Sequence, residues 1–525
     1  MFPPVCYHSI GSTRSIDLSV LVLWDPDTNV ETPLPNMPGN VARVYPASGA
    51  VAMLPLTPAN NWTPTVLFCG GSDMPDEYWG NYSFPNYNTW TYPASADCQR
   101  ITPEPQDGST PAYVQDDNML EGRTMGQFII LPDGTLLVVN GGLNGTAGYA
   151  TSTGKTPSLG FMPFGESLAS GPVGTPAIYN PNMPSGNRWS NAGLEPSNIA
   201  RLYHSSAMLL PDASVLIAGS NPNIDVNLTT IYPTTYTAEI FYPPYFSASV
   251  RPQPTGMPST LTYGGSYFNI TVPSNSYTGS ANAAASNTTV VLIRGGFTTH
   301  AMNMGQRFLQ LNNTYTVNTD GSYVLHIAQV PPSPNLLTPG PCLMFVVVNG
   351  IPSNGTMVIV GNGQIGTQPT SAVSDLPSSI QDDVAKGSGH SSSPSSSGSS
   401  SKAGVIVGAV IGVIAGIGLI GALFGIVAAS RRRAASRQHP SAAYAMGSTR
   451  AGFGASAAAA FGKHEVARHS NSSAFVPLQQ ENPSMAWNAS SVSLQSAYRD
   501  DYDRRQHYDP YHSEAIGRSS MGRRL

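Results

Sequence analysis

The stretch RLYHSSAMLLPDASVLIAGSNPN, residues 201–223, decides the fold. Two short apolar runs flank a Pro-Asp-Ala turn, a pattern typical of a β-hairpin whose second strand ends in small residues. The pattern recurs as LPDGTLLVVNGG at residues 131–142, and TVLFCGGS at residues 65–72 shares its second half. An arginine lies shortly upstream of both complete hairpins, as Arg123 and Arg201. Recurring hairpins of this kind predict blades of a kelch-like β-propeller with long insertions.

The composition favours an all-β chain. The 525 residues include 52 Gly and 46 Pro, and only 10% are charged, which suits many short strands joined by turns. Residues 1–385 carry 23 acidic and 10 basic side chains, whereas residues 386–525 carry 7 and 15. Because the acidic first part would repel phosphates, nucleic acid is excluded as a partner.

Residues 405–429 predict a single transmembrane helix. They are 25 apolar residues without charge or proline. At 1.5 Å per residue they span roughly 37 Å, enough to cross a bilayer core. Three arginines follow at residues 431–433 and predict a type I orientation with the C-terminal side in the cytoplasm.

The preceding 400 residues are therefore expected outside the cytoplasm. Eight Asn-X-Ser/Thr glycosylation patterns agree, at Asn61, Asn81, Asn144, Asn227, Asn269, Asn287, Asn312 and Asn354. The first 24 residues, however, lack the basic, apolar and small-residue regions of an export signal. We therefore expect the natural protein to begin further upstream.

The pattern of apolar runs predicts five regions. Short alternating strands after residue 237, such as YFNITV and CLMFVVVNG, predict an immunoglobulin-like β-sandwich. The predicted regions are a partial β-propeller at 1–237, the β-sandwich at 238–363, a Ser/Gly/Pro-rich linker at 364–402, the transmembrane helix at 405–429, and a disordered cytoplasmic tail at 430–525.

Histidine is the residue type that carries candidate chemistry. His8, His204, His300 and His326 are the histidines of the first 385 residues. His326 lies in an alternating strand and reads as structural, and His8 lies in a segment without a pattern. His300 follows a Gly pair in the loop RGGFTTHAMNMGQR, and His204 adjoins Tyr203. Because imidazole is a good copper ligand, Tyr203, His204 and His300 together are a candidate metal site. The alternative interpretation is that they are ordinary core residues.

Four segments together resemble the fungal glyoxal oxidases, copper radical oxidases related to galactose oxidase. They are RLYHSSAMLLPDASVLIAGSNPN, AEIFYPPYFSASVRPQP, RGGFTTHAMNMGQRFLQL and VPPSPNLLTPGPCLMFVVV. The resemblance as a whole extends over about residues 22–362. The resemblance implies a seven-bladed propeller followed by an immunoglobulin-like early set domain. It implies that Tyr203 is the axial copper ligand and accepts the substrate's proton, and that His204 and His300 are equatorial ligands.

The chain departs from the family pattern in one respect. The family stores a second oxidising equivalent on a tyrosine cross-linked to a cysteine, and no matching position here encodes that pair. Cys69 instead matches a later cysteine of the family that pairs with the counterpart of Cys98, so these two are expected to form a disulfide. They flank a polar insertion on the side of the membrane where disulfides persist. The chain as written is therefore expected to bind copper weakly and to lack activity.

The function implied is oxidation of small aldehydes or α-hydroxycarbonyls by dioxygen, giving carboxylic acids and hydrogen peroxide that would feed extracellular peroxidases. The alternative is a non-catalytic, membrane-anchored surface propeller that binds cell-wall glycans or protein. Upstream coding sequence with an export signal, a cysteine and a tyrosine ligand would favour the enzyme.

Overall fold

The computed structural model describes residues 5–8, 21–25, 27–75, 78–79, 88–299, 302–382 and 475–477. The side chains of residues 5–8, 302 and 475–477 lie outside the description. Almost all regular structure in these residues is β, with one short helix, α1 (Ala281–Ser286), as the composition predicts.

The described residues up to Phe241 form a series of antiparallel sheets. A three-stranded sheet comprises β1 (Val5–His8), β2 (Leu21–Asp25) and β3 (Val30–Pro33). The next has four strands in chain order, β4 (Ala50–Met53), β5 (Val66–Cys69), β6 (Cys98–Ile101) and β7 (Tyr113–Gln115). The third comprises β8 (Gln127–Ile130), β9 (Leu136–Val139), β12 (Ala177–Tyr179) and β13 (Trp189–Ser190). Between β9 and β12 in the chain lies a separate two-stranded sheet, formed by β10 (Gly142–Tyr149) and β11 (Ser167–Pro172).

The fourth sheet draws its strands from two distant parts of the chain. It comprises β14 (Ser206–Leu209), β15 (Val215–Ala218), β16 (Ala238–Phe241) and β30 (Phe475–Pro477). The last strand pairs antiparallel with β16, with Ile240 opposite Val476. A segment of the predicted cytoplasmic tail therefore contributes the outer strand of this sheet.

Both hairpins predicted from the Pro-Asp turns are present, as β8–β9 and β14–β15. The strand β8 contacts both β4 and β14, so the first strands of the three four-stranded sheets are neighbours. The seven-bladed propeller itself stays a prediction.

The described residues between 260 and 373 form a β-sandwich, for which the sequence predicts the bounds 238–363. Its strands are β17 (Thr260–Leu261), β18 (Tyr263–Gly265), β19 (Phe268–Val272), β20 (Thr288–Arg294), β21 (Phe297–Thr299), β22 (Met302–Met304), β23 (Arg307–Leu311), β24 (Asn313–Val317), β25 (Tyr323–Ile327), β26 (Gly340–Val348), β27 (Ile351–Pro352), β28 (Thr356–Val360) and β29 (Thr370–Val373). The larger sheet runs β17-β28-β26-β20-β23, with β27 paired to β26, and a second runs β19-β25-β24. The strands β18 and β29 form one separate pair, and β21 and β22 form another.

The central strands of the sandwich are buried on both faces, which explains their unbroken apolar runs. Alternate residues of β20 point in opposite directions. Val290 and Leu292 belong to the core between the two sandwich sheets. Val291 and Ile293 belong to a second core that also contains Phe128 and other residues of the four-stranded sheets. The sandwich is thus packed against the sheets by one face of its larger sheet.

Short 3₁₀ turns occupy several connections among the described residues. They are Pro38–Asn40, Pro58–Asn60, Thr89–Thr91, Leu159–Phe161, Pro244–Ser247 and Ser274–Ser276. No helix among the described residues has the length and apolar character needed to cross a membrane. The predicted span at 405–429 lies outside those residues.

Candidate metal site

Tyr203 and His204 lie in a tight turn immediately before β14. The backbone of His204 is left-handed, with φ of 64°, which is uncommon for a residue other than glycine. In an extended strand two consecutive side chains would point to opposite faces. The turn instead places the two rings on the same side, stacked with centroids 3.8 Å apart. A phenol and an imidazole from adjacent residues can therefore face one point.

The loop after β15 holds this turn in place and orients the imidazole. The backbone N–H of Asn221 donates to the carbonyl of Tyr203 at 2.7 Å. The Nδ1 of His204 lies 2.9 Å from the carbonyl oxygen of Asn221. Because a carbonyl can only accept, Nδ1 carries the proton and Nε2 carries the lone pair. Metal-binding histidines have this arrangement, in which a backbone carbonyl fixes the tautomer.

The two side chains differ in exposure. Tyr203 is 5% exposed, whereas His204 is exposed. Tyr203 belongs to a buried cluster whose other members are Met125, Ala147, Ala169 and Leu202, with Tyr232 packed against it. The phenol is thus positioned by apolar packing, while the imidazole is accessible to solvent and its solutes.

Two further tyrosines flank Tyr203 and were missed by the sequence analysis. The ring centroid of Tyr45 is 6.2 Å from that of Tyr203, and that of Tyr149 is 6.3 Å away. Tyr45 precedes β4, and Tyr149 ends β10. No motif marks either residue, because only the packing of separate sheets brings them to Tyr203.

The turn at His204 has counterparts in the two neighbouring sheets. Two residues before β4 and β8, Ser48 and Met125 also have positive φ, of 50° and 57°. His204 holds the same position relative to β14. The backbone geometry therefore repeats, and only at the third turn does the sequence supply an imidazole.

Three buried arginines support these turns. Arg43, Arg123 and Arg201 are 1%, 2% and 3% exposed. Each donates to a backbone carbonyl at the end of the second strand of its sheet, those of Gly70, Asn140 and Gly219 respectively. Burial lowers the pKa values of both Arg43 and Arg123 to about 10. The arginines noted in the sequence are thus structural anchors.

Arg201 is anchored by a buried carboxylate. Its Nη2 lies 2.8 Å from Oε2 of Glu239 in β16, and its Nε lies 3.1 Å from the same oxygen. Both side chains are almost fully buried. This pair connects the chain just before Tyr203 to the third strand of the same sheet.

The β21–β22 hairpin of the sandwich reaches the first strands of the four-stranded sheets. The hydroxyl of Thr298 donates to the carbonyl of Ala207 in β14 at 3.1 Å. The amides of Asn303 and Gln306 donate to the carbonyl of Phe128 in β8, at 3.2 and 2.8 Å. His300, which lies between the two strands of this hairpin in the chain, is outside the described residues.

The other candidate residues have separate places. A disulfide joins Cys69 and Cys98, which are directly opposite in β5 and β6 with Cα atoms 4.2 Å apart. Cys342 is a buried free thiol. His326 bonds to Asn269 and Thr316 through its two ring nitrogens, in agreement with the structural reading.

Within the described residues, no group of three or more His, Cys, Asp or Glu side chains could hold a metal. The predicted ligand set instead contains a tyrosine and His300. Its described members, Tyr203 and His204, offer a phenol oxygen and an imidazole nitrogen whose tautomer suits a metal. This donor chemistry fits a copper ion.

Two family models match the chain consecutively. The glyoxal oxidase N-terminus model matches residues 16–245, and the galactose oxidase-like early set domain model matches residues 251–360. The immunoglobulin-like early set assignment of the sandwich is therefore confirmed. The chain therefore has the domain organisation of the galactose oxidase-like class of proteins.

The names of two relatives agree with that class. "Aldehyde oxidase GLOX1" of Arabidopsis thaliana is 34% identical over 375 residues, which cover 68% of this chain and 54% of that protein. "Galactose oxidase" of Gibberella zeae is 30% identical over 261 residues, covering 48% and 32%. A solved structure titled as a novel fungal alcohol oxidase in complex with copper has 18% identity and a TM-score of 0.45, covering 65% and 59%.

Residues 16–245 and 251–360 thus carry the two domains that characterise the glyoxal oxidase family and its galactose oxidase-like relatives. It spans about half the length of the aldehyde oxidases that it matches.

Proposed function

We propose that this chain forms the copper site of an oxidase that converts small aldehydes or α-hydroxycarbonyls to carboxylic acids. Water supplies the second oxygen of the acid by hydrating the aldehyde, dioxygen accepts the two electrons, and hydrogen peroxide is the second product. The observation that carries the proposal is the same-side stacking of Tyr203 and His204, with the Nδ1 of His204 held by the carbonyl of Asn221. The names of the aldehyde oxidase and galactose oxidase relatives support the reaction class.

The proposed ligands are Tyr203, His204 and His300. His204 would bind through Nε2, since its Nδ1 proton is donated to a carbonyl. Tyr203 would bind through its phenol oxygen and accept the proton that the substrate loses. The anchoring of both hairpin strands to β8 and β14 supports His300 as the third ligand.

Copper, when bound, would supply one-electron redox chemistry and polarise the substrate oxygen. Oxidising an aldehyde to an acid removes two electrons, so a second redox group is needed. The family resemblance implies a Tyr–Cys pair for that role, and the positions of this chain that match the family do not encode it. We therefore propose that peroxide formation requires a further segment.

The proposed setting is extracytoplasmic. The Cys69–Cys98 disulfide supports it, because disulfides persist in oxidising compartments. Attachment to a membrane by residues 405–429 and the supply of peroxide to extracellular peroxidases stay predictions from the sequence. The predicted cytoplasmic location of residues 430–525 conflicts with the pairing of β30 with β16 if the β domains are extracytoplasmic.

The test compares two proteins in a peroxidase-coupled assay with methylglyoxal as substrate. One is the copper-loaded chain, and the other is a chimera that adds the N-terminal half of a full-length aldehyde oxidase relative. We expect peroxide only from the chimera, with loss of the signal on His300→Ala and retention on His326→Ala. Substrate-dependent peroxide from the shorter chain that His300→Ala abolishes would mean that another residue here carries the second redox equivalent.

A further inference from the structure

The surface beside the candidate metal site is aromatic. Tyr45 and Tyr149 are 38% and 40% exposed, and their rings lie near the buried ring of Tyr203, one from the chain before β4 and the other from the end of β10. The centroid distances of 6.2 and 6.3 Å lie within the range of favourable aromatic pairs. A solute that approaches Tyr203 from solvent therefore meets the rings of Tyr45 and Tyr149.

The aromatic character continues beneath this surface. Tyr232 packs against the cluster around Tyr203 and stacks on Phe164, with centroids 5.8 Å apart and planes inclined by 7°. Phe164 in turn meets the edge of the buried Trp90. All members of the cluster around Tyr203 have uncharged side chains. The environment therefore offers ring faces and apolar contacts to a substrate.

We propose that Tyr45 and Tyr149 form an aromatic subsite that selects substrates carrying an aromatic ring, so that the preferred class is aryl aldehydes and aryl α-hydroxycarbonyls. The inference deepens the proposed function and rests on it, because the ring would be held next to the phenol of Tyr203. The reacting carbonyl would point toward His204, the exposed polar group adjoining that phenol.

The physical basis is differential burial. A substrate ring stacked on the two tyrosines removes apolar area from water and gains ring–ring contact. A small hydrated aldehyde without a ring gains neither contribution. Preference for a ring is thus expected from Tyr45 and Tyr149 together.

The test measures binding, not turnover, on the full chain without copper. The probes are benzyl alcohol, cyclohexylmethanol of similar size, and ethylene glycol, titrated by ligand-observed NMR. We expect benzyl alcohol to bind most tightly. Tyr149→Ala should raise its Kd by about three- to tenfold, as expected for loss of one aromatic contact, whereas Tyr149→Phe should leave it within about twofold.

Tyr267→Ala is the matched control, because Tyr267 is 39% exposed but lies on the sandwich beside His326. Equal binding of benzyl alcohol and cyclohexylmethanol, or equal effects of Tyr149→Ala and Tyr267→Ala, would overturn the proposal. Copper uptake, measured on separate aliquots of the same proteins after incubation with Cu(II), separates the two hypotheses. Ring selectivity without copper binding would refute only the proposed function, and copper binding without ring selectivity would refute only the subsite.

Discussion

At the scale of single residues, the left-handed backbone of His204 explains why tyrosine and histidine are adjacent in the sequence. Successive strand residues would diverge, whereas this turn brings both rings to one side. Asparagine tolerates this conformation, but a β-branched residue does not. The requirement of the backbone can therefore be separated from that of the imidazole.

We predict that the free energy of unfolding of His204→Val is about 1–2 kcal/mol lower than that of His204→Asn, because a left-handed backbone conformation is costly for a β-branched residue. Both variants lose the bond to Asn221, so their difference reports the backbone. Urea denaturation followed by tryptophan fluorescence measures it. Equal stability of the two variants would show that the turn relaxes.

Arg201 is the second residue whose role can be isolated. Arg201→Met should lower the free energy of unfolding by about 3–5 kcal/mol, because it leaves the Glu239 carboxylate buried without its charge partner. Arg100→Met is the control, since Arg100 is 31% exposed and its partner Asp116 also pairs with Arg188. The control should cost less than about 1 kcal/mol. A similar loss in both variants would contradict the anchoring role of Arg201.

At the scale of elements, the hairpins could be predicted from the sequence because their turns and alternation are local. The β-sandwich was likewise predictable from runs such as CLMFVVVNG. The contribution of Tyr45 and Tyr149 to the candidate site could not be predicted from the sequence. It depends on how β10 and the chain before β4 pack around Tyr203. The strand at Phe475–Pro477 was also missed, because its polar surroundings predicted a disordered tail.

The disulfide between β5 and β6 is predicted to stabilise the second sheet. Cys98→Ser should cost about 3–4 kcal/mol, because the bond closes a loop of 29 residues in the unfolded chain. Denaturant midpoints with and without reductant measure the effect. Reductant should destabilise the wild-type chain and leave Cys98→Ser unchanged. A wild-type midpoint insensitive to reductant would contradict this account.

At the scale of the whole molecule, two separate cores meet at the larger sandwich sheet. That sheet contributes Val291 and Phe345 to the core shared with the four-stranded sheets, and Val290 and Met344 to the sandwich core. The same contact brings the β21–β22 hairpin to β8 and β14. The candidate site therefore depends on both parts of the chain.

The pairing of β30 with β16 bears on how the molecule is arranged about a membrane. The two strands must lie on the same side, whereas the sequence predicts a membrane span between them. We expect Ile240→Cys/Val476→Cys to form a disulfide within one chain under mild oxidation. The control is Leu216→Cys/Ile240→Cys, which are opposite in β15 and β16. The experiment uses the full chain expressed in cells. A crosslink in the control but not in Ile240→Cys/Val476→Cys would favour the predicted membrane span at residues 405–429.

The central claim is that Tyr203, His204 and His300 hold one copper ion. The most direct measurement is electron paramagnetic resonance of the chain loaded with one equivalent of Cu(II). The account predicts a tetragonal spectrum with hyperfine splitting from two nitrogens, reduced to one nitrogen by His204→Asn or by His300→Asn and unchanged by His326→Asn. A spectrum that neither His204→Asn nor His300→Asn alters would contradict the account.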